Sequence, residues 1–232
     1  MSELVQLKKP YDSTIAFYKV LLKLNCLNKE TKNIIDIGSG RGPTANYLIS
    51  KTKNINFLCT DYQNKCIKEG TKLNKSSRIK FKKLDILKSV KSVQNKFEGV
   101  ISIHNLCCFK KLDVVIKNMT KIKPKWIAIN SLFYKGKLDV MIHIVEHDNK
   151  NYKKNNPNGD FNIFSLVKLR EILKKNGYKI SYSKPYFSKN KIKKLGKTSR
   201  GSFTMKTDMH INTTFSGPVY LPWHFVVAKK IK

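Results

Sequence analysis

The sequence predicts an α/β fold of three layers, with helices on both faces of a seven-stranded, mostly parallel sheet whose last strand runs antiparallel. Three observations predict it. Apolar strand-like runs alternate with helical patterns as far as residue 130, and each unit of roughly 20–25 residues has room for a strand and its covering helix. The first strand runs straight into a glycine-rich turn that opens a helix. Two more strand-like runs, at 178–183 and 219–229, close the chain. At 232 residues the chain fits one large domain with a sizeable core, and no domain linker or internal repeat is seen.

Taken in order, residues 12–26 form an amphipathic helix, with Ile15, Tyr18, Leu21, Leu22 and Cys26 on one face. The segment 1–30 is expected to act as an N-terminal helix and lid. Strands are expected at Asn33–Ile37, Ile55–Thr60, Ile79–Lys83, Phe97–Ile103 and Trp126–Asn130, with helices near 43–52, 63–74, 88–95 and 110–121. Ser165 caps a helix that carries Leu166, Leu169, Ile172 and Leu173 on one side and stops at Gly177. Two insertions interrupt the alternation, 131–163 after strand five and 187–216 after strand six. The second holds a basic loop at 188–200 and a hairpin with strands near 201–207 and 210–215.

The formal charge is +32, from 47 Lys and Arg against 15 Asp and Glu. Such a field attracts polyanions, anionic membranes or acidic substrates. Yet the cations are 43 Lys and only 4 Arg, spread along the chain beside 21 Asn. Arg is the residue whose fork reads phosphate and guanine, and joint excess of Lys and Asn is also what an AT-rich genome imposes. Both readings stay open. Five cysteines with no Cys-x-x-Cys pair point to neither a disulfide framework nor a zinc site. No apolar run approaches a membrane span, and the first residues lack a secretion signal, so a cytoplasmic protein with no membrane partner is expected.

The chemistry is carried by Asp36-Ile37-Gly38-Ser39-Gly40-Arg41-Gly42, followed by Pro43 at a helix start. The glycines permit a tight turn and a close backbone approach to a ligand. A dinucleotide-binding turn reads Gly-x-Gly-x-x-Gly around a pyrophosphate. Here the spacing is Gly-x-Gly-x-Gly, and a carboxylate at the strand end suits a cationic ligand, not a phosphate.

This segment resembles motif I of the class I, Rossmann-like S-adenosylmethionine-dependent methyltransferases, acid-x-Gly-x-Gly-x-Gly. The resemblance covers about residues 30–130 and implies S-adenosylmethionine as cofactor. By that likeness Asp36, Gly38, Ser39 and Gly40 lie under its methionine part. Asp61, 25 residues after Asp36, takes the ribose hydroxyls, with Tyr62 as an adenine neighbour. Asp85 with Ile86 lies near the adenine amino group, and His104 ends strand four under the methyl-transfer site. The closing segment Phe215 to Phe225 is similar to the last strand of small bacterial methyltransferases of unassigned substrate.

On the acceptor side, strand four ends Ile103-His104-Asn105-Leu106, without the Asn/Asp-Pro-Pro-Tyr/Phe signature of amino-methylating nucleic-acid enzymes. His104 is the candidate base or orienter for an in-line methyl transfer, or simply a cover over the cofactor. Tyr11, Asn105, Phe133, Tyr134, His143, Trp223 and His224 are the candidate acceptor contacts, Tyr11 as a lid and the aromatics, with Tyr220, as a wall. His143, Glu146 and His147 make a His-x-x-Glu-His cluster. On an alternating strand with Val140, Ile142, Ile144 and Val145, His143 and Glu146 face opposite ways, so no metal is assigned. A small-molecule acceptor is expected, with RNA as the alternative, and a monomer or a homodimer as the working form.

Overall fold

The computed structural model describes residues 7–144, 159–188, 202–206, 212–216, 219 and 221–231. In chain order these form α1 (Asp12–Lys23), β1 (Asn33–Ile37), α2 (Pro43–Lys51), β2 (Asn56–Asp61), α3 (Asn64–Leu73), β3 (Ile79–Lys83), β4 (Gly99–Ile103), α4 (Leu112–Lys121) and β5 (Trp126–Ser131). There follow β6 (Phe133–Tyr134), β7 (His143–Ile144), β8 (Gly159–Asp160), β9 (Phe164–Ser165), α5 (Leu166–Lys175), β10 (Tyr178–Pro185), β11 (Ser202–Lys206), β12 (Asn212–Ser216) and β13 (His224–Lys230).

Seven of the strands form one sheet in the order β10-β13-β5-β4-β1-β2-β3. The pairings β1–β2, β2–β3, β1–β4 and β4–β5 are parallel, and β13 is antiparallel to both β5 and β10. Sequence order reverses at β1, where chain leaves toward β2 on one side and β4 on the other. In open α/β sheets that switch point leaves a crevice at the strands' carboxyl ends.

Alternation along the strands feeds two cores. Ile35, Ile37, Val100, Ile127, Ile129, Val226 and Ala228 face α4 and α5. Ile34, Phe57, Cys59, Ile101, Ala128, Phe225 and Val227 face α1 and α2. The central strands are apolar on both faces because both are covered. Ser165 caps α5 as expected, its hydroxyl accepting from Lys168 N–H at 3.1 Å, and Gly177 ends it at φ +80°.

Three expectations shift. The helix expected over 12–26 ends at Lys23, and its buried face is Ser13, Thr14, Phe17 and Leu21, with Leu22 exposed. The helix near 88–95 is a single 3-10 turn, Lys91–Val93. Only Val90 and Val93 of that stretch reach the core, and so few residues cannot repay helix nucleation. The last strand begins at His224, not 219, since Pro222 has no N–H for a ladder. The first insertion is held down by Asn162. Its N–H reaches Cys107 O at 2.7 Å, its Nδ2 donates to Phe109 O at 2.8 Å, and its Oδ1 accepts from Ile142 N–H at 2.9 Å.

Candidate functional site

The glycine turn sits on the switch point. The N–H groups of Gly38 and Ser39 both donate to Thr60 O, at 2.8 and 2.9 Å, and Thr60 Oγ1 donates back to Asp36 O at 2.8 Å. β1 and β2 therefore hold the turn between them. Gly38 has φ +70°, and a Cβ there would lie 1.8 Å from Asn105 Nδ2. Only glycine fits, because Asn105 lies across the turn and donates to Ile37 O at 3.4 Å.

Three carboxylates stand at or just beyond the ends of β1, β2 and β3. Asp36 is 2% exposed, and its carboxyl is held well above the ordinary range, first by burial and then by the neighbouring Asp61. Asp61 accepts from Gly40 N–H at 3.1 Å and from Gln63 N–H at 2.9 Å. Asp85 accepts from Leu87 N–H at 3.0 Å. A buried carboxyl pressed by another negative charge gains most from a cation, which fits the cationic amino end and sulfonium of the cofactor the motif implies. Tyr62 is exposed beside this edge, its hydroxyl accepting from Gln63 Nε2 at 2.9 Å. Ile86 is a core residue whose carbonyl takes Asn118 Nδ2 at 2.7 Å, so its side chain is committed to packing.

His104 follows β4 in a left-handed conformation, φ 55°, uncommon for a residue with a ring. Its N–H donates to Asn130 O at 2.8 Å. Its Nε2 lies 3.0 Å from Asn130 Nδ2 and 3.4 Å from Ser13 Oγ. The ring centroid is 4.3 Å from that of Trp223 and 6.1 Å from that of Tyr11. Burial lowers its pKa to about 4, so the imidazole is neutral at pH 7. Tyr11 and Trp223 thus meet at His104, whereas the Asn105 side chain lies over the glycine turn. Ser13 and Asn130 were not among the candidates. The one signal for Asn130 was a polar residue ending an apolar strand next in order to β4.

The rest of the expected aromatic wall divides. Phe133 lies in the core under α4 and α5, and His224 packs edge-on against it at 6.1 Å while its Nε2 meets Ser183 Oγ at 2.8 Å. Strand alternation turns His224 to the face of Val226 and Ala228, whereas Trp223, just before the strand, packs with Cys107, Phe161 and Ile163. Tyr134 is solvent-exposed beside Gly136. His143 also points outward and pairs with Asp160 at 2.9 Å, while Ile142 and Ile144 turn in toward Trp223, Phe161 and Ile163. Phe133, Tyr134, His143 and His224 are therefore not brought to His104. Glu146, His147, Tyr220 and the basic loop from residue 189 lie outside the described residues.

The profile of the methyltransferase domain family matches residues 28–198. No curated protein matches the sequence. Among solved structures, the chain is similar to 1,6-didemethyltoxoflavin-N1-methyltransferase of Burkholderia thailandensis, solved with S-adenosylhomocysteine. That match has a TM-score of 0.62 and 11% identity over 96% of this chain and 80% of that one. Magnesium protoporphyrin IX methyltransferase of Synechocystis PCC 6803 gives 0.54 and 11% over 94% and 82%. A protein of Galdieria sulphuraria assigned as a sarcosine dimethylglycine methyltransferase gives 0.54 and 13% over 73% of this chain, which spans 61% of that one. At such identities the structural likeness speaks for the fold.

Proposed function

We propose that this chain, which belongs to the methyltransferase domain family and is an enzyme using S-adenosylmethionine, methylates a small-molecule acceptor at His104. When bound, the cofactor supplies a methyl group activated on a sulfonium. Asp36 is assigned its cationic amino end, the backbone of Gly38, Ser39 and Gly40 its methionine part, and Asp61 the ribose hydroxyls. Asp85, Tyr62 and the Ile86 backbone are assigned the adenine. His104, flanked by Tyr11 and Trp223, faces the acceptor, with Asn105 sealing the turn beneath.

One observation carries the small-molecule reading. The first insertion packs Ile142, Ile144, Phe161 and Ile163 around Trp223 and Cys107, while Ser13 and Tyr11 approach His104 from α1 and the residue before it. An apolar strap on one side and the start of a helix on the other suit an enclosed pocket with few polar groups. A polymer would need an open basic groove. The names of two fold neighbours, a didemethyltoxoflavin and a protoporphyrin methyltransferase, are consistent with this.

The charge of +32 favours the second reading, an RNA methyltransferase. The two separate on one assay: transfer of labelled methyl to a fractionated metabolite extract or to total RNA. Label in a small-molecule fraction is expected. Strong RNA labelling with no small-molecule product replaces the first reading by the second.

A further inference from the structure

Asn130 is completely buried at the end of β5, in register with Ile103 of β4. It grips His104 twice, its carbonyl taking the His104 N–H at 2.8 Å and its Nδ2 lying 3.0 Å from Nε2. An amide nitrogen only donates. With the amide in this orientation Nε2 is the accepting nitrogen of the ring, and the single proton of a neutral imidazole sits on Nδ1. Ser13 Oγ, 3.4 Å from the same Nε2, can direct its hydroxyl proton there as well. A nitrogen whose lone pair already receives a donor is badly placed to take a proton from a substrate. Turning the amide over would offer Oδ1 to Nε2 and move the proton, so the orientation of this one side chain decides which role His104 can play. In the structure Oδ1 points away from the ring and finds no donor among the described residues.

We propose that Asn130 is a positioning residue that locks His104 in the Nδ1–H tautomer, making it a hydrogen-bond donor that orients the acceptor molecule through a polar atom other than the reacting lone pair, and not its base. The inference rests on the reading of His104 as the methyl-transfer site, and it names the acceptor class. The acceptor atom must arrive with its lone pair available at neutral pH: an unprotonated ring or amine nitrogen, or an oxygen or sulfur already ionised. That lone pair forms the new bond to the methyl carbon as the carbon–sulfur bond breaks and its electron pair returns to sulfur. A proton on the alkylated nitrogen leaves to water, not to His104. A neutral donor suits this role, since an imidazolium would repel the sulfonium beside it.

The test uses the full chain labelled with 15N-histidine, with the His104 signals assigned by their loss in His104→Gln. Correlation spectra between pH 5 and 8 are expected to show protonated Nδ1 and bare Nε2. Asn130→Asp replaces the donor with an acceptor. It should move the proton to Nε2 and raise the His104 pKa by at least one unit, a tenfold change in proton affinity. Should the aspartate variant fail to fold, Asn130→Ala should populate both tautomers. A wild-type ring protonated at Nε2 overturns the proposal, as does an unchanged tautomer in a folded Asn130 variant. On an acceptor fraction, His104→Gln, which keeps an amide donor, should retain activity to within about tenfold, whereas loss of a base costs on the order of 100-fold or more. A loss at that scale also overturns the proposal. Calorimetry with S-adenosylmethionine is the separate control. Failure of wild type to bind it would remove the methyltransferase reading while the tautomer result stood.

Discussion

Asp36 and Asp61 press two carboxylates against one glycine turn, and their environments separate their tasks. Asp36 is buried with a raised pKa, so in the folded protein it holds its proton to higher pH than in the unfolded chain. Between the ordinary carboxyl range and that raised value the native state binds the extra proton, and stability falls as pH rises. Asp36→Asn should therefore raise the melting temperature of the ligand-free protein at pH 7 and weaken S-adenosylmethionine binding. Calorimetry and a thermal melt on one sample check both, and a variant that binds normally removes Asp36 from the site. Asp61→Ala should weaken binding by about 1.5–3 kcal/mol, the scale of hydrogen bonds to a charged group. It also releases the Gly40 N–H, so part of that loss is a loosened turn.

Between elements, Asn162 is one of the ties on the first insertion, beside the Val140–Ile163 bridge and the Asp139 contacts to Ser165 and Lys168. Asn162 ties the chain before β7 to the loop after β4 through its N–H, Nδ2 and Oδ1. Asn162→Ala keeps the backbone bond but leaves the Ile142 N–H and the Phe109 carbonyl without it, a cost of about 2–3 kcal/mol at the usual value per unsatisfied group. Hydrogen exchange should accelerate at Ile142 and Ile163 while the amides of β1 and β4 stay protected. Uniform loss of protection would mean that the strap is part of the global folding unit and not a separate layer. Gly38→Ala acts differently. Its Cβ meets Asn105 and its φ is +70°, so the turn must move, and cofactor affinity should fall with stability.

For the whole molecule, charge and two buried histidines set the response to solution conditions. A net charge of +32 repels itself, so stability should climb as added salt shortens the screening length from about 30 Å to about 8 Å. A melting temperature that falls with salt would show that specific ion pairs outweigh the net field. Burial pushes both His104 and His224 down to about 4, the latter helped by Lys135. The unfolded chain takes up these protons near 6.5, the native protein only near 4. Stability should therefore be lost as pH falls through that interval. His224→Phe, which keeps a ring beside Phe133, should flatten the loss between pH 6.5 and 4.

The sequence by itself determined the chain order of the seven sheet strands, the glycine turn and the three acids, because each of these is local. A strand that ends in Gly-x-Gly-x-Gly declares its turn wherever it lies, and Asp36, Asp61 and Asp85 are each positioned by the strand they end or follow. β1 and β3 fall where the apolar runs put them for the same reason. Only the tertiary structure decided what surrounds His104. Ser13 is 91 residues away and Asn130 26, and no periodicity links positions on separate elements. It also decided that Trp223 joins the site while His224 does not. Their types are equally suggestive, but the register of β13 on β5 turns His224 to the core of Phe133, while Trp223, just before the strand, is held by the insertion against His104.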